Sequence, residues 1–296
     1  MLVGGFDLER LRPRLLGLAY RMLGSRDEAE DAVQEALLRW HQAETAEIRS
    51  PEAWLVTVLS RLCVDRLRAL ATQRESYIGP WLPEPIVGDA DRPDRRIELA
   101  SDLSMALLIV LERLAPEERA AFLLHDVFDS PYPEIARALG KSEAACRQIV
   151  HRARERVRRD KPRFAVSAAA HRNLIQNYIA AVQAGDVDRI VSLLAPDAVL
   201  VSDGGGKVWA ARKPIIGADR IARLEIGVLR KRAGVFAFRI LPINGQPGLV
   251  FYRDGSPAAA TAFETDGERI LSVFRVLNPD KLRSLPPLDE GADRPQ

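Results

Sequence analysis

The chain has 296 residues, a formal net charge of +2 and 47% hydrophobic residues, the balance of a folded, core-forming protein long enough for two or three domains. No run of about eighteen apolar residues occurs and no charged-then-apolar leader opens the sequence, so neither a helical membrane span nor a secretory signal is expected and the predicted compartment is the cytoplasm. The two cysteines, Cys63 and Cys146, lie far apart within helical patterns without metal-ligand spacing. They read as small buried apolar residues, with no disulfide framework and no metal site.

The first part, residues 1–74, is predicted to be a three-helix bundle. Leu8, Leu11, Leu15, Leu18 and Met22 form one apolar stripe, and Ala29, Ala32, Val33, Ala36, Leu37 and Trp40 form a second after the Gly24-Ser25 break. Ser50 caps a third helix with Pro51 in its first turn, where a missing N–H does no harm. That helix is expected to turn Trp54, Leu55, Val58, Leu59 and Leu62 inward and to expose Thr57, Arg61, Asp65 and Arg68. Asp27, Asp31, Gln34 and Glu35 project together from the polar side of the second helix.

Residues 75–96 read as a linker, because Gly79, Pro80, Pro83, Pro85, Gly88 and Pro93 interrupt any periodicity. A second helical part covers residues 97–163, with Pro116 opening a helix and a helix-turn-helix at its end. There Ile135, Ala136 and Leu139 line a short helix, Gly140 supplies the left-handed turn, and Ser142 caps the next helix. Cys146, Ile149 and Ala153 share its inner face. Lys141, Ser142, Glu143, Ala144, Arg147, Gln148, His151 and Arg152 are left for a partner. Ten basic residues face three acidic ones between positions 137 and 163, a local excess that favours phosphate binding.

Residues 168–285 change character. Two helical segments (171–184 and 187–194) precede β-rich runs at 198–202, 207–211, 235–241, 249–253, 259–264 and 269–276, with Asp254-Gly255 and Asp266-Gly267 as hairpin turns. The prediction is an α+β domain, a curved antiparallel sheet with helices on one face. The tail, residues 286–296, is expected to be disordered.

The order of parts resembles an extracytoplasmic-function (ECF) sigma factor. The resemblance rests on the run from Gly24 to Glu35, on Trp54-Leu55 and on Asp65-Arg66-Leu67-Arg68, which look like sigma region 2, and on the helix-turn-helix, which looks like region 4. Trp81-Leu82-Pro83-Glu84-Pro85, Asp203-Gly204-Gly205-Gly206-Lys207 and Asn278-Pro279-Asp280-Lys281-Leu282 further resemble the SigJ-like subgroup, whose members carry a C-terminal SnoaL-like domain, a conical sheet with a pocket. The resemblance implies a multi-domain protein with all-α regions 2 and 4 followed by that α+β domain. It implies core RNA polymerase and promoter DNA as partners. Asp27, Asp31, Gln34 and Glu35 would dock on the β′ coiled coil. Arg61, Asp65, Arg66 and Arg68 would serve the −10 element, the 44–49 loop a flipped base, and the helix-turn-helix residues the −35 element. The three short motifs would make a regulatory contact anchored by Trp81.

No catalytic residue, cofactor or metal is expected. His171 and Asp203 are the titratable groups nearest a candidate pocket, which could take an unknown small-molecule ligand. Two rival readings are a cyclase or isomerase in the C-terminal domain and a free-standing DNA-binding regulator.

Overall fold

A computed structural model describes residues 2–3, 6–43, 48, 50–87, 104–160, 166–231 and 237–288. Two compact units divide the chain. One holds Met1–Ser76, Asp89–Leu103 and Leu107–Lys161; the other holds Tyr77–Gly88, Ser104–Ala106 and Pro162–Gln296. The first residues of the expected second helical part (97–103) and the 44–49 loop (but for position 48) lie outside the described residues.

In the helical unit, strands β1 (Leu2–Val3) and β2 (Phe6–Asp7) pair ahead of α1 (Leu8–Leu23), α2 (Arg26–Gln42) and α3 (Pro51–Glu75). The stripes on α1 and α2 are buried as their spacing dictates, apart from Leu37, which is half-buried. The stripe on α3 is rotated from the sequence reading. Leu55, Val56, Leu59, Ser60, Cys63, Val64 and Leu67 face inward, while Trp54, Val58 and Leu62 are only half-buried. Ser60 is tolerated there because its hydroxyl donates to the Val56 carbonyl at 2.7 Å. Helices α4 (Met105–Glu112), α5 (Pro116–Asp126), α6 (Tyr132–Leu139) and α7 (Glu143–Asp160) follow. Helix α3 packs on α5 and α6, and α1 packs on α5. Glu112 ties the bundle together by accepting from Arg74 and, at 2.6 Å, from the buried Arg119. Both thiols are buried; desolvation pushes Cys63 up to about 12, so it is unreactive.

The second unit carries α8 (Ala168–Ala184), α9 (Val187–Leu193), β3 (Leu194–Asp203), β4 (Ile215–Ile216), α10 (Ala218–Lys231), β5 (Ala237–Ile243), β6 (Gln246–Arg253), β7 (Ser256–Thr265) and β8 (Ile270–Val276). The sheet order is β4-β3-β8-β7-β6-β5. It is mixed rather than antiparallel, since β3 runs parallel to β8. The 207–211 run is not a strand: the amides of Lys207 and Val208 both return to the Gly204 carbonyl, which curls the chain into a turn. Two-residue turns join β5 to β6 and β6 to β7. Asn244 (φ 50°) and Gly245 (φ 77°) form the first, Asp254 (φ 52°) and Gly255 (φ 76°) the second.

Helix α10 has no counterpart in the sequence reading. It buries Ile221, Ala222, Glu225 and Ile226 against α8, α9 and β3. Glu225 is matched there: Tyr178 donates to it at 3.0 Å, Arg275 on β8 pairs with it at 2.7 Å, and Arg275 also donates to Thr261. The segment read as a linker, whose Trp81–Pro85 motif is expected to make a regulatory contact, is buried from Leu82 to Ile86. Ile86 and Asn244 exchange hydrogen bonds, and Val87 bridges to Ile243. Residues 286–288, expected to belong to a disordered tail, are part of the described structure, and the Leu288 amide donates to the Gly255 carbonyl at 2.9 Å; residues 289–296 lie outside the described part.

Candidate nucleic-acid interface and regulatory contact

Gly140 ends α6 in the left-handed conformation (φ 64°), and its N–H closes on the Ala136 carbonyl. The Ser142 hydroxyl then accepts from the Ala145 amide at 3.2 Å, starting α7. The small residue buried in the α6 crossing is Ala138; Ala136 is half-buried. Cys146, Ile149, Val150, Ala153 and Val157 face inward. Lys141, Ser142, Glu143, Ala144, Arg147, Gln148, His151 and Arg152 are all exposed, and the last four line one shallow depression. Arg147 leans on Glu143 (3.0 Å) and on the Tyr132 ring (5.0 Å), whereas Arg152 pairs with no acid among the described residues. The arginines further along α7 have other work. Arg154 forks onto Asp126 and Arg156 donates to Glu118 at 2.5 Å, stapling α7 to α5.

On α2, Asp27, Asp31 and Gln34 are exposed and Glu35 is partly exposed, paired with Arg39 at 3.0 Å. Leu38 extends this face by one turn and is 57% exposed; sequence reading missed it because one apolar residue outside the stripe is unremarkable. The basic candidates on α3 are engaged. Arg66 donates to the Glu28 carbonyl and pairs with Glu28 (3.2 Å) and Asp31 (3.8 Å), bracing α2. Arg61 donates to the carbonyls of Arg137 and of Ala138 at the end of α6, where the helix dipole favours a cation. Arg68 binds Asp65 at 3.2 Å and Glu117 at 2.6 Å, and Glu117 also holds Lys141 at 3.0 Å. Together these hold the carboxyl of Glu117 below its ordinary value, with the Lys141 hydrogen bond the largest cause. Trp40 and Trp54 meet edge to face at 5.4 Å, with Trp40 buried.

In the C-terminal unit the three short motifs converge on one carboxylate. Asp203 is fully buried and accepts from the Tyr77 hydroxyl (2.6 Å), the Leu82 amide (2.9 Å), the Gly205 amide (3.1 Å) and the Lys281 ammonium (2.7 Å). Lys281 also donates to the Leu82 carbonyl at 2.6 Å and lies 4.1 Å from the Trp81 ring centre and 5.2 Å from that of Tyr77. Asn278 donates to the Tyr77 hydroxyl at 2.9 Å, and its own amide reaches the Asp203 carbonyl. Glu84 accepts from Ser284, and Pro83, Pro85 and Leu282 are buried. Pro279 is exposed and starts the 3₁₀ turn Pro279–Leu282. Lys207 pairs with Asp280, whose carboxyl is held low by it.

The glycines are required by proximity. A Cβ on Gly204 would meet the Val208 carbonyl at 2.6 Å, one on Gly205 (φ +59°) would meet Asn278 at 2.4 Å, and one on Gly206 (φ +71°) would meet Ile78 at 2.8 Å. Tyr77 is the central residue that sequence reading missed. Burial first, then the hydrogen bond to Asp203, raises its phenol above the ordinary 10.0. Asp203 has no lone pair left for catalysis. His171 is buried, and desolvation lowers its imidazole.

A helix-turn-helix with an exposed basic face and a helix with an acidic face, carried by one helical unit, are the features of a DNA-binding protein that also meets a protein partner. Residues 8–73 match Sigma-70 region 2 and residues 104–157 match Sigma-70, region 4. The chain is 40% identical over 293 residues to the ECF RNA polymerase sigma factor SigJ of Mycobacterium tuberculosis (strain ATCC 25618 / H37Rv), covering 95% of this chain and 93% of that protein. It is 33% identical over 277 residues to the probable ECF RNA polymerase sigma factor SigI of Mycobacterium tuberculosis (strain CDC 1551 / Oshkosh), covering 93% of each. The crystal structure of Mycobacterium tuberculosis extracytoplasmic function sigma factor SigJ superposes with a TM-score of 0.78 at 36% identity, covering 95% of this chain and 99% of that one. The chain belongs to the ECF RNA polymerase sigma factors. It is a transcription initiation subunit that binds core polymerase and promoter DNA, and its helical regions are followed by a fused α+β domain. Among the described residues no helix is long and apolar enough to cross a membrane.

Proposed function

We propose that promoter reading is divided among the surfaces above and that the C-terminal unit governs it by clamping the segment between regions 2 and 4. The α2 face of Asp27, Asp31, Gln34 and Glu35, extended by Leu38, docks on core polymerase. The α7 face of Lys141, Ser142, Glu143, Ala144, Arg147, Gln148, His151 and Arg152 reads the −35 element, and Arg61, Asp65, Arg66 and Arg68 serve the −10 region once they leave their present partners. This work takes place in the cytoplasm, beside the chromosome.

One observation supports the clamp above all: the Asp203 carboxylate is saturated by donors from the 77–82 segment and from Lys281. Holding residues 77–87 in the C-terminal unit withdraws them from the connection between α3 and α4, so the spacing available to the two DNA-reading regions depends on the clamp. Because clamp and readers share one chain, the effective concentration is high without a separate partner.

The test is run-off transcription with reconstituted polymerase and Trp81→Ala or Asp203→Asn protein. Promoter-specific output should change several-fold for both variants. Unchanged output from both, with core binding intact, removes the clamp from the mechanism.

A further inference from the structure

A cavity of about 600 Å³ opens beside the clamp, lined by Ile78, Gly79, Ser202, Gly204, Gly206 and residues 207–212. Its walls are backbone brought close by glycine. A Cβ at Gly206 would strike Ile78, one at Gly204 would strike Val208 and Ala210, and Gly79 (φ +86°) lies against the Cα of Arg212. Three properties describe what would fill it. The volume suits a molecule of one or two rings. Trp209 at its rim is 75% exposed, with Ile78 at 52% and Val208 at 42%, so an indole and two aliphatic side chains flank the cleft with their apolar surface in water. The charged lining side chains, Lys207 and Arg212, are both cationic. Lys207 is shared with Asp280 of the Asn278–Leu282 motif.

We propose that this cavity binds a small aromatic carboxylate, with its ring against Trp209 and its carboxylate on Arg212 and Lys207. Guanidinium recognises carboxylate in a planar fork, and an indole face stacks on a planar ring at little entropic cost. A bound carboxylate competes with Asp280 for Lys207, so occupancy loosens one strut of the clamp; that consequence rests on the regulatory reading above, whereas the binding itself does not. The ligand site is separate from the Glu225–Arg275–Tyr178 cluster, whose hydrogen-bonding groups already satisfy one another within the core.

Calorimetric titration of the full chain with 1-naphthoate, with 1-naphthalenemethanol as a neutral counterpart, tests the site without polymerase. The acid should bind at least tenfold more tightly than the alcohol. Arg212→Ala should weaken the acid tenfold or more with little effect on the alcohol, and Trp209→Ala should weaken both. Both substitutions are on exposed side chains outside the Asp203 network, so folding is preserved and is checked by circular dichroism. Equal affinity for acid and alcohol, no binding at millimolar concentration, or binding indifferent to both substitutions overturns the proposal. So does weaker core polymerase binding by Trp209→Ala without ligand binding by the parent chain, which would assign the patch to a protein interface. Binding that follows the pattern but leaves transcription unchanged would sustain the site and count against the clamp alone.

Discussion

Two ion networks of almost equal length occupy the two units, and burial separates them. Lys281 and Asp203 meet at 2.7 Å with side chains 13% and 0% exposed. Arg68, Glu117 and Lys141 meet at 2.6 and 3.0 Å with side chains 55%, 33% and 32% exposed. Water screens the second network, so its net worth is about 0–1 kcal/mol per pair. The first has no water to fall back on, and each lost partner strands a buried polar group. The helical unit therefore holds the cations proposed to meet DNA with contacts that a phosphate can replace, while the C-terminal unit fixes the 77–87 segment with contacts that nothing nearby can.

The largest test of this contrast is Asp203→Ala. It removes the carboxylate shared by the Lys281 ammonium, the Tyr77 hydroxyl and the Leu82 and Gly205 amides, so unfolding free energy of the C-terminal unit should fall by about 3–5 kcal/mol. Lys207→Ala, which breaks the more exposed pair with Asp280, should cost under about 1 kcal/mol. Denaturant titration of both variants checks the ranking, and comparable losses would dissolve the distinction.

Tyr77 sharpens the same point through pH. Its phenol is raised in the fold, by burial and by Asp203, so the unfolded chain gives up this proton first as pH rises. The stability it contributes is complete below pH 10 and is lost progressively above that, toward the folded value. The stability difference between the parent chain and Tyr77→Phe should therefore shrink from pH 8 to pH 11 in denaturant titrations. A constant difference would mean that burial and the Asp203 hydrogen bond do not raise the phenol.

These same residues show what could and could not be read from the sequence. The helix-turn-helix was legible because each signal acts locally: Gly140 for the left-handed turn, Ser142 for the cap, and Cys146, Ile149 and Ala153 for the inner stripe. Helix α10 escaped because Glu225 interrupts its apolar stripe, and the Arg275 that neutralises it lies fifty positions away. The 207–211 run alternates like a strand but has no neighbour to complete its hydrogen bonds, so turn geometry wins. The linker's Gly and Pro residues match the absence of helix and strand over the described residues 77–86, yet say nothing of their burial, which depends on Asn244, Asp203 and Lys281 far downstream. Tyr77 carried no pattern at all. The engagement of Arg61, Arg66 and Arg68 was equally invisible, since a basic face reads the same whether its partner is DNA or the chain itself.

On the α7 face proposed to read the −35 element, Arg152 is the cation with least to give up. Arg152→Ala should weaken promoter association by the polymerase complex roughly tenfold and lower the salt slope by about one if the side chain meets a phosphate, with stability unchanged within about 0.5 kcal/mol. Arg147→Ala should cost less, because DNA binding first has to draw Arg147 from Glu143 and Tyr132. Filter binding across a salt series separates the two, and an equal loss would show that the local partners impose no toll.

The smallest effect is expected where the exposed network holds Lys141 and Arg68. Glu117→Gln removes the shared carboxylate and should change stability by under about 1 kcal/mol. It also releases two cations toward DNA, so promoter association should rise by about two- to fivefold at low salt, with the gain fading at high salt as screening shortens the reach of both interactions. The Glu117 carboxyl is held below its ordinary 4.5 in the fold. Its contribution is therefore present above pH 4.5 and lost as pH falls through the lowered value, and the Gln variant should lack that dependence. If the substitution weakens association instead, Glu117 is positioning Lys141 and Arg68 for DNA rather than competing with it, and the exposed network would share the holding role of the buried one.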